Sequence, residues 1–307
     1  MDYIRRIFQN KKTKLIVRIL VVLAIFALLA IERTFWTPDV LFIMLLALFF
    51  VFGQTRAFII RFAPLIILLI VYEGFRSFIP HLNSHVHYSE MINFDKWLGG
   101  GVLPTTHLQN LLWHGNVRWY DFYFYFLYTV HFLMPIILGV VIWKKFGDRN
   151  YWQFMVALLT LSYGAFLTYL LFPAAPPWMA SDMHLIEPIR RISSDVWWAM
   201  GIKDFSSLYA NLSPNPVAAV PSLHCAYPTL FALFVVRLFK AKKFWLVWLY
   251  PISISLGVVY LGEHYVFDVI LGIIFALIAF YSTDAFFKWQ TKKHWSMFDK
   301  IKAKLRK

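Results

Sequence analysis

Long uninterrupted apolar blocks, most of them near the length that crosses a bilayer, constrain this chain more than any other feature. They run from about 15 to 30, 40 to 52, 57 to 72, 119 to 143, 151 to 172, 218 to 239, 244 to 261 and 265 to 287. About 20 apolar residues span the hydrocarbon core as a helix, whereas a barrel strand needs roughly ten in an alternating pattern. Inside a bilayer every backbone polar group must be paired within the protein, and continuous blocks of this length do so as helices. The reading is therefore all-α: a polytopic helical membrane protein with about eight transmembrane helices. Composition agrees, with 60% of the 307 residues apolar and 15% charged. A soluble domain is about half apolar and about a quarter charged. A soluble enzyme is excluded on this count, and a disordered chain more strongly.

The 30 Lys and Arg against 16 Asp and Glu would suggest nucleic acid in a soluble protein. Here the basic residues sit in short clusters between the apolar blocks, the pattern of cytoplasmic loops, so no nucleic-acid partner is expected. Arg5, Arg6, Lys11, Lys12 and Lys14 precede the first block, which reads as an uncleaved span. Lys144, Lys145 and Arg149 follow the fourth. Arg237, Lys240, Lys242 and Lys243 follow the sixth, and the tail from Lys292 to Lys307 follows the eighth. With eight spans all these clusters share one side. Both termini are then cytoplasmic, in a protein expected in the plasma membrane. The organisation reads as an N-terminal transmembrane region over 1–75, a membrane domain over 76–290 and a basic tail over 291–307. Cys225 is the single cysteine, which excludes an intrachain disulfide and a cysteine zinc cluster.

Two long segments fall on the outer side, about 73–118 and 173–217. The first carries His81, His85, His87, His107 and His114; the second carries Trp178, Trp197 and Trp198. Both are compatible with solvated loops and interfacial helices. Ionisable groups at the mouth of an apolar helix are costly, and function is their default explanation. Two such places stand out: Val220-Pro221-Ser222-Leu223-His224 before the sixth block, and Gly262-Glu263-His264-Tyr265-Val266-Phe267-Asp268 at the start of the eighth.

His264 and Asp268 are four apart, hence on one helix face. A carboxylate can fix an imidazole's tautomer and activate it as nucleophile or base. The same spacing suits a satisfied interfacial pair, and as a metal site it lacks a third ligand. His224 adds a candidate acid and Ser222 a hydroxyl. Pro221 suits a first helical turn whose free amides can meet an anion. Together these make a plausible phosphoryl-transfer site, which would also need cations. Arg190 and Arg191 are candidates, with interfacial anchoring as their other reading.

Pro221-Ser222-Leu223-His224 and His264-x-x-x-Asp268 resemble the second and third motifs of the type 2 phosphatidic acid phosphatase superfamily. The likeness is sharper to its inositol phosphorylceramide synthase-like branch. Ala175-Pro176-Pro177-Trp178, the run from Tyr260-Leu261 through Gly272, and Tyr128-x-x-His131-Phe132 with Pro135 are all similar to that branch. The resemblance covers about 95–281 and implies a six-helix phosphatase-type core. It implies that His264 attacks the lipid phosphorus to form phosphohistidine, that Asp268 orients it, and that His224 protonates the leaving group. Ser222 would help hold the phosphate, with Tyr265 and His131 as further substrate-binding residues and neither metal nor cofactor required.

The phosphatase pattern has Ser-Arg where this chain has Gly257-Val258, its Lys-x6-Arg-Pro motif is not visible, and Leu223 replaces a glycine. These departures favour the synthase-like branch. The expected function is a lipid phosphotransferase or phosphatase taking a phospholipid at the outer leaflet, with an alcohol acceptor such as the polyol inositol. The alternatives are a phosphatidate or isoprenoid phosphate phosphatase, and, from another class, a lipid-binding or transport protein without catalysis.

Overall fold

The structure is a computed structural model that describes residues 13, 15–22, 46–47, 49–76, 85–131, 133–201, 215–240 and 242–292. Among them the secondary structure is helical, and extended pairing is confined to isolated bridges. The chain is all-α, as expected. Most of the first two predicted spans, His81 and the basic tail beyond Lys292 lie outside the described residues.

The chain divides into two units, Met1–Ile67 with Asp299–Lys307, and Leu68–Phe298. Helix α1 (Thr55–Arg76) begins in the first unit and corresponds to the third predicted span. Phe49, Phe58 and Phe62 stack in series there, with centroids 4.6 and 4.5 Å apart. Arg61, the charge predicted inside this span, is buried, and its Nη1 donates to the Ala57 carbonyl one turn back at 3.2 Å. A buried guanidinium bonded to its own helix is how such a charge is tolerated in an apolar segment.

The second unit carries the site. Its helices are α2 (Ser89–Leu98), α3 (Pro104–Leu112), α4 (Trp119–Val130), α5 (Leu133–Leu171), α6 (Pro177–Asp182), α7 (Ile192–Ala199), α8 (Leu223–Phe239), α9 (Leu249–Tyr260) and α10 (Val266–Lys292). A 3₁₀ segment (Lys242–Trp248) leads into α9. Helices α5, α8 and α10 pack on one another, and α9 packs on α8 and α4. Helices α5 and α10 are long and apolar enough to cross a membrane. On α10, Ile270, Ile274, Ile278 and Tyr281 form an exposed stripe at helical spacing, while Val269, Ala276, Ala279 and Phe280 are buried. An apolar helix that exposes one apolar face and packs small residues on the other suits lipid on its outside.

The fourth predicted span is not one helix. It breaks after Val130 and resumes at Leu133. Pro135 explains the break, because a proline removes the amide that would bond the carbonyl four residues back, here that of His131, and its ring crowds it. The fourth and fifth spans meet at Gly147 (φ 80°, ψ 175°), a non-helical residue that divides α5 into two halves next to Lys144, Lys145 and Arg149. At the end of α8, Arg237 reaches Asp284 of α10 at 3.0 Å and Gln153 of α5 at 2.9 Å, and Gln153 in turn donates to Asp284 at 3.1 Å.

The two segments predicted on the outer side are tied together by backbone pairing. His87 N donates to the Pro173 carbonyl at 2.8 Å, and Ala175 N to the His87 carbonyl at 3.0 Å. Ala174 N donates to Val217 at 2.8 Å, and Ala219 N to Ala174 at 3.2 Å. Residues 173–175, which lead into Pro176-Pro177-Trp178, therefore lie beside the stretch that leads into Ser222.

Candidate active site

The turn 261–264 and the first turn of α10 present His264 and Asp268. His264 Nδ1 lies 3.1 Å from Asp268 Oδ2, and the same oxygen accepts the Tyr265 amide at 2.9 Å. The other ring nitrogen, Nε2, lies 3.1 Å from Nδ1 of His224 on α8. This pattern assigns the protons. A carboxylate only accepts, so His264 carries hydrogen on Nδ1 and a lone pair on Nε2. His224 must then donate from Nδ1. Asp268 thus holds the His264 ring with its unprotonated nitrogen facing the second histidine. His264 and Asp268 are buried, and His224 is half-buried.

The frame around them is built from long-range backbone contacts. Ser222 N donates to the Asp268 carbonyl at 3.1 Å, which pins the start of α8 to the start of α10. Gly272 permits this approach, since a Cβ there would come within 2.4 Å of the Ser222 carbonyl oxygen. Gly262 has φ +79°, and a Cβ would meet the Arg190 carbonyl oxygen at 2.8 Å. Both glycines belong to the run from Tyr260 to Gly272, so part of that run is written by steric need.

Asp95 of α2 accepts the Val266 amide at 2.8 Å and the Phe267 amide at 3.0 Å. It caps the helix that bears Asp268, satisfying amides with no intrahelical partner. Burial pushes its carboxyl up to about 6, against the pull of the two amides. Tyr260 OH donates to buried Asp121 of α4 at 2.6 Å, and Gln109 Nε2 donates to the Tyr260 carbonyl at 2.9 Å.

The structure separates the two predicted cations. Arg191 lies next to the His264 turn, with Nε and Nη2 donating to Glu263 at 2.9 and 3.2 Å and its guanidinium 4.0 Å from the Trp178 ring centroid. Ser193 also donates to Glu263. Arg190 instead pairs with Asp195 through two bonds of 2.7 Å, which raises its pKa further. It borders a cavity of about 450 Å³ with Gln109, Asn110 and Trp113. Val258, at the arginine position of the phosphatase pattern, packs in an apolar cluster with Cys225, Ile254 and Val269.

The remaining predicted residues are also placed. Ser222 is buried at the N-cap of α8 without a capping bond from its side chain, and its hydroxyl points to Cys225 Sγ at 3.6 Å. Tyr265 is buried in an apolar cluster with Met91, Ile189 and Val220. His131 is fully buried, its Nδ1 is 2.5 Å from the Tyr128 carbonyl, and its ring centroid is 4.0 Å from that of His224. Sequence reasoning missed Asp95, Asp121 and Glu263 as parts of this frame. Only the placement of Glu263 beside His264 offered a signal for any of them.

An oriented imidazole facing a proton-donating imidazole, at the ends of two apolar helices, is the arrangement of a membrane enzyme of lipid phosphate chemistry. Residues 89–282 match the PAP2 superfamily, and the chain belongs to that superfamily. It is a lipid phosphotransferase or phosphatase. It is 28% identical over 247 residues to a phosphoinositol dihydroceramide synthase of Bacteroides thetaiotaomicron, covering 76% of this chain and 79% of that one. It is 28% identical over 163 residues to an inositol phosphorylceramide synthase of Candida albicans, covering 49% of this chain and 33% of that one. It is 27% identical over 209 residues to the inositol phosphorylceramide synthase catalytic subunit of Schizosaccharomyces pombe, covering 58% and 45%. The chain therefore spans less than half the length of the two fungal relatives. No solved structure matches it.

Proposed function

We propose that this enzyme moves a phosphorylated polyol headgroup, of the phosphoinositol type, from a phosphodiester lipid to the hydroxyl of a ceramide-like lipid through a phosphohistidine. The observation that carries the reading is the line Asp268–His264–His224, with both imidazole contacts at 3.1 Å. His264 Nε2 attacks phosphorus, and the bond from phosphorus to the glycerol oxygen breaks. His224 delivers its proton to that oxygen, releasing diacylglycerol. The acceptor hydroxyl then gives its proton to His224 while its oxygen attacks phosphorus and the N–P bond breaks. Inositol belongs to the transferred group in this scheme, rather than to the acceptor expected from sequence.

Charge supports a diester donor. A phosphomonoester carries close to two negative charges near neutral pH, and a diester carries one. Among the described residues, Arg191 and Arg190 are each engaged by a carboxylate, and Val258 stands where phosphatases have arginine. The basic clusters support a site open to the outer leaflet of the plasma membrane with both termini cytoplasmic. In the test, purified full-length enzyme receives phosphatidylinositol, labelled in phosphorus and in the ring, together with ceramide. The expected product is a ceramide lipid carrying both labels. Inositol phosphate carrying both labels, released at a rate ceramide leaves unchanged, would replace transfer with hydrolysis, and free phosphate from a phosphatidate offered in its place, with phosphatidylinositol left intact, would replace this reading with a phosphatase.

A further inference from the structure

The last turn of α4 reaches the site with two side chains to which the scheme above gives no role. Tyr128 stacks on His224 with ring centroids 4.1 Å apart and planes only 9° off parallel. His131, three residues on, lies 4.0 Å from His224 with its plane tilted by 43°. The His131 ring is itself fixed, because its Nδ1 can only donate to the Tyr128 carbonyl 2.5 Å away. Two aromatic walls from one helix end therefore set the plane of the imidazole that faces His264.

We propose that Tyr128 and His131 are positioning residues for His224, holding its Nδ1 toward His264, and that the stacked face of Tyr128 favours its protonated form. The proposal rests on the reading of His224 as the proton carrier. A ring free to rotate about χ1 and χ2 would hold the 3.1 Å Nδ1–Nε2 contact only part of the time, and proton transfer needs hydrogen-bond reach.

The second half follows from the groups that face His224. His264 stands in front of it, from the turn before α10, and must keep a lone pair on Nε2 to act. Asp268 lies behind His264 and bonds to that ring. His131 keeps a hydrogen on Nδ1, engaged with a backbone carbonyl. Tyr128 presents the negative face of its π system, which attracts an imidazolium stacked on it. To act as an acid His224 must hold two protons before transfer, and the stacked ring favours that state. This assigns His131 to the wall behind the proton carrier rather than to phosphate binding.

The test compares Tyr128→Phe, which keeps the aromatic face, with Tyr128→Leu, which removes it. The titration of His224 is read by NMR on full-length protein with ¹³C-labelled histidine, the signal being assigned with His224→Asn. The rate is read as kcat against pH with phosphatidylinositol and ceramide. Tyr128→Phe should match the parent in both readouts. Tyr128→Leu should move the His224 titration and the basic limb of the kcat profile to lower pH together, and leave KM within about twofold. His131→Gln should lower kcat several-fold with KM unchanged. A His224 titration that Tyr128→Leu leaves in place, or that Phe and Leu lower equally, would overturn the proposal. A moved titration with an unmoved rate profile would uphold the clamp and remove His224 from the acid role.

Discussion

Arg191 and Glu263 form a two-bond ion pair one residue from His264, at 2.9 and 3.2 Å, and Glu263 is almost completely buried. The pair straps residues 189–193 across the turn that carries the candidate nucleophile, and Trp178 covers the guanidinium. Removing one partner of a buried pair leaves the other uncompensated, at a cost of about 3–5 kcal/mol. Arg191→Ala should therefore lower the melting temperature of the detergent-solubilised enzyme more than Glu263→Gln does. Glu263→Gln should also release the Arg191 charge toward the site and tighten inhibition by a phosphomonoester lipid. If Glu263→Gln leaves that inhibition unchanged, the balance of charges does not select the diester.

Asp95 couples the outer segment to the α10 N-terminus. Its carboxyl is raised from 3.8 to about 6 by burial. The folded state therefore binds a proton that the unfolded state has already lost between those two values, so this group's contribution to stability falls as pH rises through that window. Asp95→Asn cannot ionise and lacks this pH dependence. The melting temperature of the parent, measured relative to Asp95→Asn, should fall from about pH 4 to about pH 6 and level off above. A difference that is flat with pH would show that Asp95 does not titrate there. Asp95→Ala loses both amide acceptors and should cost about 1–2 kcal/mol.

What could be read in the sequence were relations close along the chain. Block length announced helices, and the four-residue spacing of His264 and Asp268 foretold their contact, but not its geometry: His264 stands in the turn before α10, and Asp268 reaches back from the first turn to bond both its ring and the Tyr265 amide. Pro135 predicts a break in the fourth block, but apolar continuity concealed it until His131 was seen to end α4. The cap from Asp95 joins residues about 170 apart in sequence, and no local pattern encodes such a pairing. Arg190 and Arg191 are adjacent and chemically alike. They lie where the loop enters α7, Arg191 at its N-cap, and their separate partners, Asp195 of α7 and Glu263 of the turn before α10, are set by that tertiary placement.

The topology that the charges predict can be read with thiol reagents. The single native cysteine, Cys225, is fully buried, so the parent protein should label weakly and single introduced cysteines should report cleanly. Cysteine at Lys144, at Lys242 or in the tail should react only when the reagent can cross the membrane. Cysteine at His114 in the outer segment should react with an impermeant reagent on intact cells. Labelling of the tail from outside would reverse the assignment of sides.

The chemistry itself is tested through Asp268 and His264. In the proposed mechanism Asp268 fixes hydrogen on His264 Nδ1 and leaves Nε2 to attack. An amide in its place can donate to Nδ1 and so favours the wrong tautomer without changing the shape of the site. Asp268→Asn should preserve the melting profile while lowering kcat by about a thousandfold or more, as carboxylate-to-amide changes behind an imidazole do. His264→Ala should abolish turnover together with the acid-labile, base-stable phosphoryl adduct expected of a phosphohistidine. His224→Ala should let the adduct form most readily from donors with good leaving groups, because the proton it supplies matters least there. Its transfer to the acceptor should then be slow, because the same residue is needed to deprotonate the incoming hydroxyl. Near-normal turnover in His264→Ala would falsify the covalent mechanism, and an adduct mapped to His224 would exchange the roles of the two histidines.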